Sequence, residues 1–235
     1  MDKKDIPYLA ALLAVALLGN GCSQGLLQEQ TREGVIEYAL TFPDYDPNGL
    51  MAGMLPERTT LTFSHGRELA ELSAGMGVFR TSIITDNDRK EMRYHLSVLN
   101  KKIVSHLERR DMPALNKEEP ALTILNTNEM DTIAGYPCRK AIAIYGSIDM
   151  PEIELYYTDR IGLNDPNWYG PFNAIPGVLL RYEMVQYGMR MRLEAVAVRP
   201  GPVDEAKFAD KGGYARVSPE ALHTELEQVL STFSL

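Results

Sequence analysis

Along residues 34–42, GVIEYALTF, apolar and polar positions alternate: Ile36, Tyr38, Leu40 and Phe42 share one face, and Glu37 and Thr41 lie on the other. Successive side chains of an extended chain point to opposite sides, so this stretch predicts a strand with one buried face. The pattern returns in TTLTFS, RELAELS, VFRTSIIT, EMRYHLSVLN and KIVSHLERR, and the breaks SHGR, TDNDRK and NKK carry turn chemistry. Short strands joined by short turns predict an antiparallel meander. Residues 111–120, DMPALNKEEP, read as a loop inside one domain, because the strand pattern resumes after them in ALTILN, CRKAIAIYG and EIELYYTD.

The last pair lies in GVLLRYEMVQYGMRMRLEAVAV. Leu180, Tyr182 and Met184 alternate with Arg181, Glu183 and Val185; Gly188 marks the turn, and Met189, Met191, Leu193 and Ala195 form the returning apolar face. Such faces need a cover, and SPEALHTELEQVLSTF supplies one. Ser218 is a good N-cap, Pro219 and Glu220 suit the first turn, and Leu222, Leu226, Val229 and Phe233 recur at 4-3-4 spacing. A second short helix is expected in GLMAGMLPE, ended by Pro56. The expected fold is mainly β (α+β): a curved antiparallel sheet with one or two helices on one side. No repeat of solenoid or propeller length is visible.

Ahead of the strands, the apolar run Leu9–Leu18 has the length of a signal-peptide core and is too short to span a bilayer. Lys3 and Lys4 precede it, neutralised by Asp2 and Asp5, and the small residues Gly19, Asn20 and Gly21 lead into Cys22. This resembles the bacterial lipobox, with Gly19 where Leu is usual and Leu18 one place earlier. The resemblance implies cleavage before Cys22 and attachment there of diacylglycerol and an N-acyl chain such as palmitate. Each buried methylene contributes about 0.8 kcal/mol, so several chains together anchor stably. Residues 1–21 are then the signal, 22–33 the lipidated cysteine and a polar tether, and 34–235 a single β-rich domain. Ser23, rather than Asp, after the cysteine does not suggest inner-membrane retention, so the expectation is an outer-membrane lipoprotein facing the periplasm. The alternative is ordinary secretion with a free Cys22.

Composition narrows the function classes. The 235 residues carry a net charge of −8, and 45% hydrophobic with 24% charged residues is ordinary for a globular chain. That acidic balance argues against nucleic acid, whose backbone calls for clustered Lys and Arg. There are two cysteines; a lipidated Cys22 cannot form a disulfide, and Cys138 is expected as a buried structural thiol.

Chemistry-bearing motifs are missing. DYDPNGLMAGML starts like a calcium loop with Asp44, Asp46, Asn48 and Gly49, but its twelfth position is Leu55, so it reads as a turn. The histidines His65, His95, His106 and His223 lie in four segments without metal-ligand spacing; His95 and His106 read as solvated strand-face residues. Glu152 and Glu154 read as a solvated strand face, and neither a nucleophile elbow nor a phosphate-binding loop is present. No metal or cofactor and no enzymatic activity are expected. A catalytic reading would need a polar cluster around Asp159, Arg160, Asp165 and Trp168. Eleven methionines are more notable: methionine either fills irregular core space or lines an adaptable apolar cavity.

Two islands go further. TIAGYPCRKA, residues 132–141, resembles the I-x-G-Y-x-C-x-K-A signature of small Bacteroidetes lipoproteins. WYGPFNAIPGVLLRYEM resembles the segment that names the GLPGLI-type family and its relatives among domains of unknown function; here the hexamer is Ala174–Leu179, with Pro176 and Gly177 identical. The resemblance implies a LolA/LolB-like open half-barrel, helices on its concave side, no catalytic residues, and relatives that bind acyl chains or lipoproteins. On that footing Tyr38, Leu40, Leu180, Tyr182, Met184, Met191 and Leu193 are the expected ligand-binding lining, and Met51 and Met54 the lid. The rival expectation is a structural or interaction module with a filled core.

Overall fold

The stretches that alternate apolar and polar positions become strands, and several of the turns between them carry Gly, Asn or Asp. The computed structural model describes residues 30–46, 48–49, 52–117, 121–146 and 152–231. The strands are β1 (Glu33–Thr41), β2 (Arg58–Ser64), β3 (Arg67–Ala74), β4 (Phe79–Asp86), β5 (Glu91–Val98), β6 (Lys101–Glu108), β7 (Leu122–Ile133), β8 (Tyr136–Tyr145), β9 (Ile153–Thr158), β10 (Val178–Gln186), β11 (Met189–Pro200) and β12 (Ala215–Arg216). They make one open, curved sheet in the order β12-β6-β5-β4-β3-β2-β1-β11-β10-β9-β8-β7. Neighbours are antiparallel except β12, which joins β6 in parallel. β1 is central: it pairs Ile36 with Leu61 of β2 on one side and with Val198 of β11 on the other.

Cross-strand register defines the inner face. One row runs Tyr38, Thr59, Leu72, Thr81, Leu96, Ile103, and another Gly34, Phe63, Glu68, Thr85, Met92, Leu107. Three hairpins turn on a residue pair with both φ angles positive: His65-Gly66, Ala134-Gly135 and Tyr187-Gly188. That geometry matches the right-handed strand twist and accounts for the glycine in each pair. Gly177 acts differently from a turn glycine: a Cβ there would sit 2.4 Å from the carbonyl oxygen of Thr158. It permits the first residues of β10 to approach β9.

The expected C-terminal helix is α2 (Pro219–Leu230), preceded by the four-residue α1 (Met112–Leu115) inside the stretch expected to be loop. Ser218 Oγ accepts from the Ala221 N–H at 3.2 Å, the expected N-cap. Leu222 and Leu226 are buried with Met92, Leu96, Ile103, Leu107, Met112, Leu115 and Trp168. At roughly 2 kcal/mol for each fully buried leucine, this seam is the main hold on the helix. Phe233 lies outside the described residues. The second expected helix is a single 3-10 turn, Ala52–Met54, with Leu50 and Met51 outside the described residues.

The opposite face carries charge pairs, among them Arg181 with Asp131 and Glu194 at 3.0 and 3.1 Å, and Glu183 between Arg190 and Arg192 at 2.6 and 2.5 Å. It is partly covered by the segment between β11 and β12: Phe208 packs on Leu69 and Ile84, and the Tyr214 ring meets His95 edge-on at 5.0 Å. His95 is therefore not a solvated strand-face residue but a buried one, with Nδ1 3.2 Å from the Ser82 carbonyl oxygen. Local alternation cannot show a cover that arrives from more than a hundred residues away. His106 is exposed as expected.

Candidate functional site

The connection between β9 and β10, residues 159–177, builds the interior. Asn167 Nδ2 donates to the carbonyls of Ile175 and Gly177, each at 2.8 Å, and closes the segment into a compact loop. Phe172 and Ile175 pack against Ala141, Ala143, Tyr145, Leu155, Tyr157 and Leu179. Trp168 joins the cluster beneath α2, and its indole N–H donates to Asn87 Oδ1 at 3.0 Å. Asn87 Nδ2 donates in turn to Glu68 Oε1. The Tyr169 hydroxyl is a second donor to the same carboxyl.

Glu68 is 2% exposed on the inner face. Burial pushes its carboxyl up to about 7, against the opposing pull of Asn87, Tyr169 and the Lys90 charge. Lys90 itself pairs with Asp165 at 2.7 Å. Beside Glu68 lies a cavity of about 130 Å3, whose walls include Tyr38, Tyr169, Tyr182, Leu179 and Leu193. Tyr38 donates its hydroxyl to the Leu179 carbonyl at 2.8 Å and meets Tyr182 edge-on at 6.4 Å. Burial raises the phenol pKa of all three tyrosines above the usual range.

A second opening, about 50 Å3, lies where the Ala52–Met54 turn meets the end of α2. Its walls include Phe42, Met54, Phe79, Met189, Met191 and Leu230, and among the described residues Gln186 is the polar one.

The expected lining residues divide between these places. Tyr38, Tyr182 and Leu193 line the larger cavity, and Met191 lines the smaller. Leu40, Leu180 and Met184 belong to or pack against the same core cluster and line neither. A register shift between Leu179 and Arg181 explains Leu180: Leu179 stands opposite Tyr157 and takes the wall position that simple alternation gives to Leu180. Of the lid pair, Met54 sits over the smaller opening, and Met51 lies outside the described residues.

Glu68, Asn87 and Tyr169 were missed in the sequence. The available signal was parity: in RELAELS, Glu68 shares a face with Ala70 and Leu72. The polar group around Asp159, Arg160, Asp165 and Trp168 does not converge. Asp165 pairs with Lys90 and Arg109, while Asp159 pairs with Arg139 and Arg160. The carbonyl of Arg160 accepts the Thr31 N–H at 2.8 Å, tying the residues before β1 into the fold. Glu154 is an exposed partner of Lys140 at 2.7 Å. Cys138 is fully buried, and burial pushes its thiol up to about 11. Asp46 Oδ1 accepts the Asn48 N–H at 2.9 Å, the contact of a turn. Among the described residues no three His, Cys, Asp or Glu side chains are placed to hold a metal ion, and no helix is long and apolar enough to cross a membrane. Cys22 lies outside them.

No family model and no curated protein matches this chain. Solved structures do. PNGF-II in a C2 crystal covers 84% of the chain at 15% identity with a TM-score of 0.53, and in a P21 crystal 84% at 16% with a TM-score of 0.50. Each match takes in 33% of PNGF-II, so the chain spans about a third of that protein's length and the likeness is one of fold. MucB in complex with MucA(peri) aligns over 79% of this chain and 56% of its own, at 10% identity and a TM-score of 0.33. A β-barrel-like protein of the domain of unknown function DUF1849 from Brucella abortus aligns over 74% of this chain and 100% of its own, at 11% identity and a TM-score of 0.34.

Proposed function

We propose that the protein is a non-catalytic, lipid-anchored lipoprotein of the bacterial envelope, held at the outer membrane through Cys22 and facing the periplasm. Its LolA-like sheet takes an apolar chain, an acyl tail or the lipid of another lipoprotein, into the methionine-lined opening under Met54. The N-terminal signal pattern supports the anchor, and the open antiparallel sheet with its covering helix supports the LolA-like reading.

The observation that carries the binding function is the apolar rim beside that opening. Met54 is 42% exposed, Met76 102%, Val78 47% and Leu99 75%. They are neighbours: the Val78 N–H bonds the Gly75 carbonyl and the Leu99 N–H bonds the Val78 carbonyl, both at 3.1 Å. Met76 and Leu99 also hold φ angles of 55° and 50°, where Gly or Asn is favoured. Large apolar side chains at strained, solvated turn tips do nothing for folding, and clustered they mark a contact surface. The opening itself is smaller than a ligand pocket of about 300 Å3 or more, so entry requires displacement of Met54, which an unbranched thioether side chain accommodates.

The test is lipid extraction and native mass spectrometry of the protein from a bacterial envelope, with fluorescent fatty-acid titration of the Cys22→Ala form. Bound lipid is expected, and Met54→Asp and Met191→Asp should weaken fatty-acid binding by roughly tenfold or more. Absence of both lipid and fatty-acid binding removes the carrier reading. Cys22→Ala should itself abolish palmitate labelling and release the protein from membranes.

One observation favours a second reading. Trp168, Phe172 and Ile175 fill the interior, as expected of an interaction module whose rim contacts a protein partner. In that case Met76→Asp and Leu99→Asp disrupt a complex while no variant affects fatty-acid binding.

A further inference from the structure

We propose that the cavity walled by Tyr38, Tyr169, Tyr182 and Glu68 is a binding site for a small methylated ammonium group. The site is separate from the methionine-lined opening and goes beyond the carrier reading.

Size, walls and charge point the same way. The cavity is about 130 Å3; an apolar cavity of about 150 Å3 holds benzene, and a tetramethylammonium ion has about that bulk. Three tyrosines contribute to its walls, and the negative faces of aromatic rings attract a desolvated cation. Among the described wall residues the charged one is Glu68. Its direct partners, the Asn87 amide and the Tyr169 hydroxyl, are neutral donors. Lys90, whose charge acts on Glu68, is itself engaged by Asp165 at 2.7 Å and lies over the Trp168 ring at 5.8 Å. Lys90 is shared with Asp165, so the Glu68 carboxylate is offset only in part and a cationic ligand can match the rest.

The choice of a methylated over a primary ammonium follows from the acceptors. A primary ammonium needs about three of them. Here the Leu179 carbonyl already accepts from Tyr38 and the Glu68 carboxyl from Asn87 and Tyr169, so a primary ammonium would have to share each of them. A methylated ammonium asks only for ring faces and a counter-charge. An anion is excluded by the same walls.

The groups facing Glu68 are Tyr38 from β1, Tyr182 from β10, Tyr169 from the β9–β10 connection, and Asn87 and Lys90 from the β4–β5 turn. Burial holds the three phenols above their usual range and pushes the Glu68 carboxyl up to about 7.

The experiment is a titration of the purified protein with tetramethylammonium chloride, followed by calorimetry and tyrosine ring NMR shifts. Sodium chloride at matched ionic strength and tert-butanol, a neutral molecule of similar shape, are the controls. Saturable one-site binding of tetramethylammonium alone is expected. Because the ionised fraction of Glu68 falls about tenfold from pH 8 to pH 6, affinity should fall by about the same factor. Glu68→Gln and Tyr182→Leu should each weaken binding by roughly tenfold or more. Tyr182 is only half-buried, so its variant and the pH series on the native protein carry the test if Glu68→Gln does not fold. The proposal is overturned if tetramethylammonium shows no saturable binding, if tert-butanol binds equally well, or if affinity is indifferent to pH and to Tyr182→Leu. Fatty-acid binding at the other opening is measured separately, so failure of one reading leaves the other standing.

Discussion

The indole N–H of Trp168 reaches across 81 residues of sequence to donate to Asn87 Oδ1 at 3.0 Å, and Asn87 passes the contact on to Glu68. This pair fastens the β9–β10 connection to the β4–β5 turn. Asn87→Leu would strand two buried polar groups, the indole N–H and one carboxyl oxygen, each costing about 1–3 kcal/mol. We expect a loss of roughly 2–6 kcal/mol in urea unfolding. Trp168 is the sole tryptophan, so its near-ultraviolet circular dichroism should change as well. An unaltered midpoint and spectrum would show that the network is not a fastener.

Glu68 makes stability depend on pH with a definite sign. Its carboxyl ordinarily titrates at 4.5 and is pushed up to about 7 in the fold. Below 4.5 both states hold the proton and the contribution is complete; between the two values only the folded state holds it. Stability from this group is therefore lost as pH rises through 7, by up to about 3 kcal/mol. Burial lowers the pKa of His95 below its ordinary 6.5, which acts in the opposite sense, removing stability on acidification. The difference between wild type and Glu68→Gln isolates the carboxyl. The change in urea midpoint from about pH 5 to pH 8 should be more favourable to the folded state in the variant than in the wild type, and equal changes in both proteins would refute the assignment.

Cys138 should be silent toward thiol reagents in the folded state. It is fully buried, its Sγ faces the Tyr136 carbonyl at 3.4 Å, and its thiol is pushed up to about 11, so thiolate is scarce at neutral pH. Labelling by an aromatic disulfide reagent should track global unfolding in denaturant. Rapid native labelling would mean that the β7–β8 hairpin opens locally.

Gly177→Ala tests close approach in isolation from turn geometry. The added Cβ would fall 2.4 Å from the Thr158 oxygen, so β10 must shift away from β9. We expect a cost of about 2–4 kcal/mol in urea unfolding. Gly170→Ala, with nothing within 4 Å of its Cβ position, should cost less than about 1 kcal/mol.

The strands were readable because each buries one face, and alternation within about eight residues is enough to show it. Every expected strand from GVIEYALTF to the last hairpin is present, and the N-cap at Ser218 is where the sequence places it. The interior was legible only in part. Tyr38, Tyr182, Leu193 and Met191 reach cavity walls because they obey parity, whereas the bulge at Leu180 shifts the wall to Leu179. Glu68 and His95 went unrecognised because polar residues in a strand read as solvated until a distant segment covers them. For Glu68 that segment is the Trp168–Tyr169 connection, and for His95 it is the Tyr214 segment. Neither cover leaves a local mark.

The place of β1 has a consequence for how the chain is made. Strands β2–β6 form one meander and β7–β11 another, each built from neighbours in sequence, and β1 joins them by pairing Glu37 with Ala197. Closing so long a loop costs roughly 4–5 kcal/mol of chain entropy, so this seam forms after the meanders that it unites. During synthesis the first half folds with the outer edge of β1 bare until β11 emerges. A bare strand edge invites pairing with other chains; the newborn protein is most prone to aggregate in that interval, and a holding chaperone would find its target there.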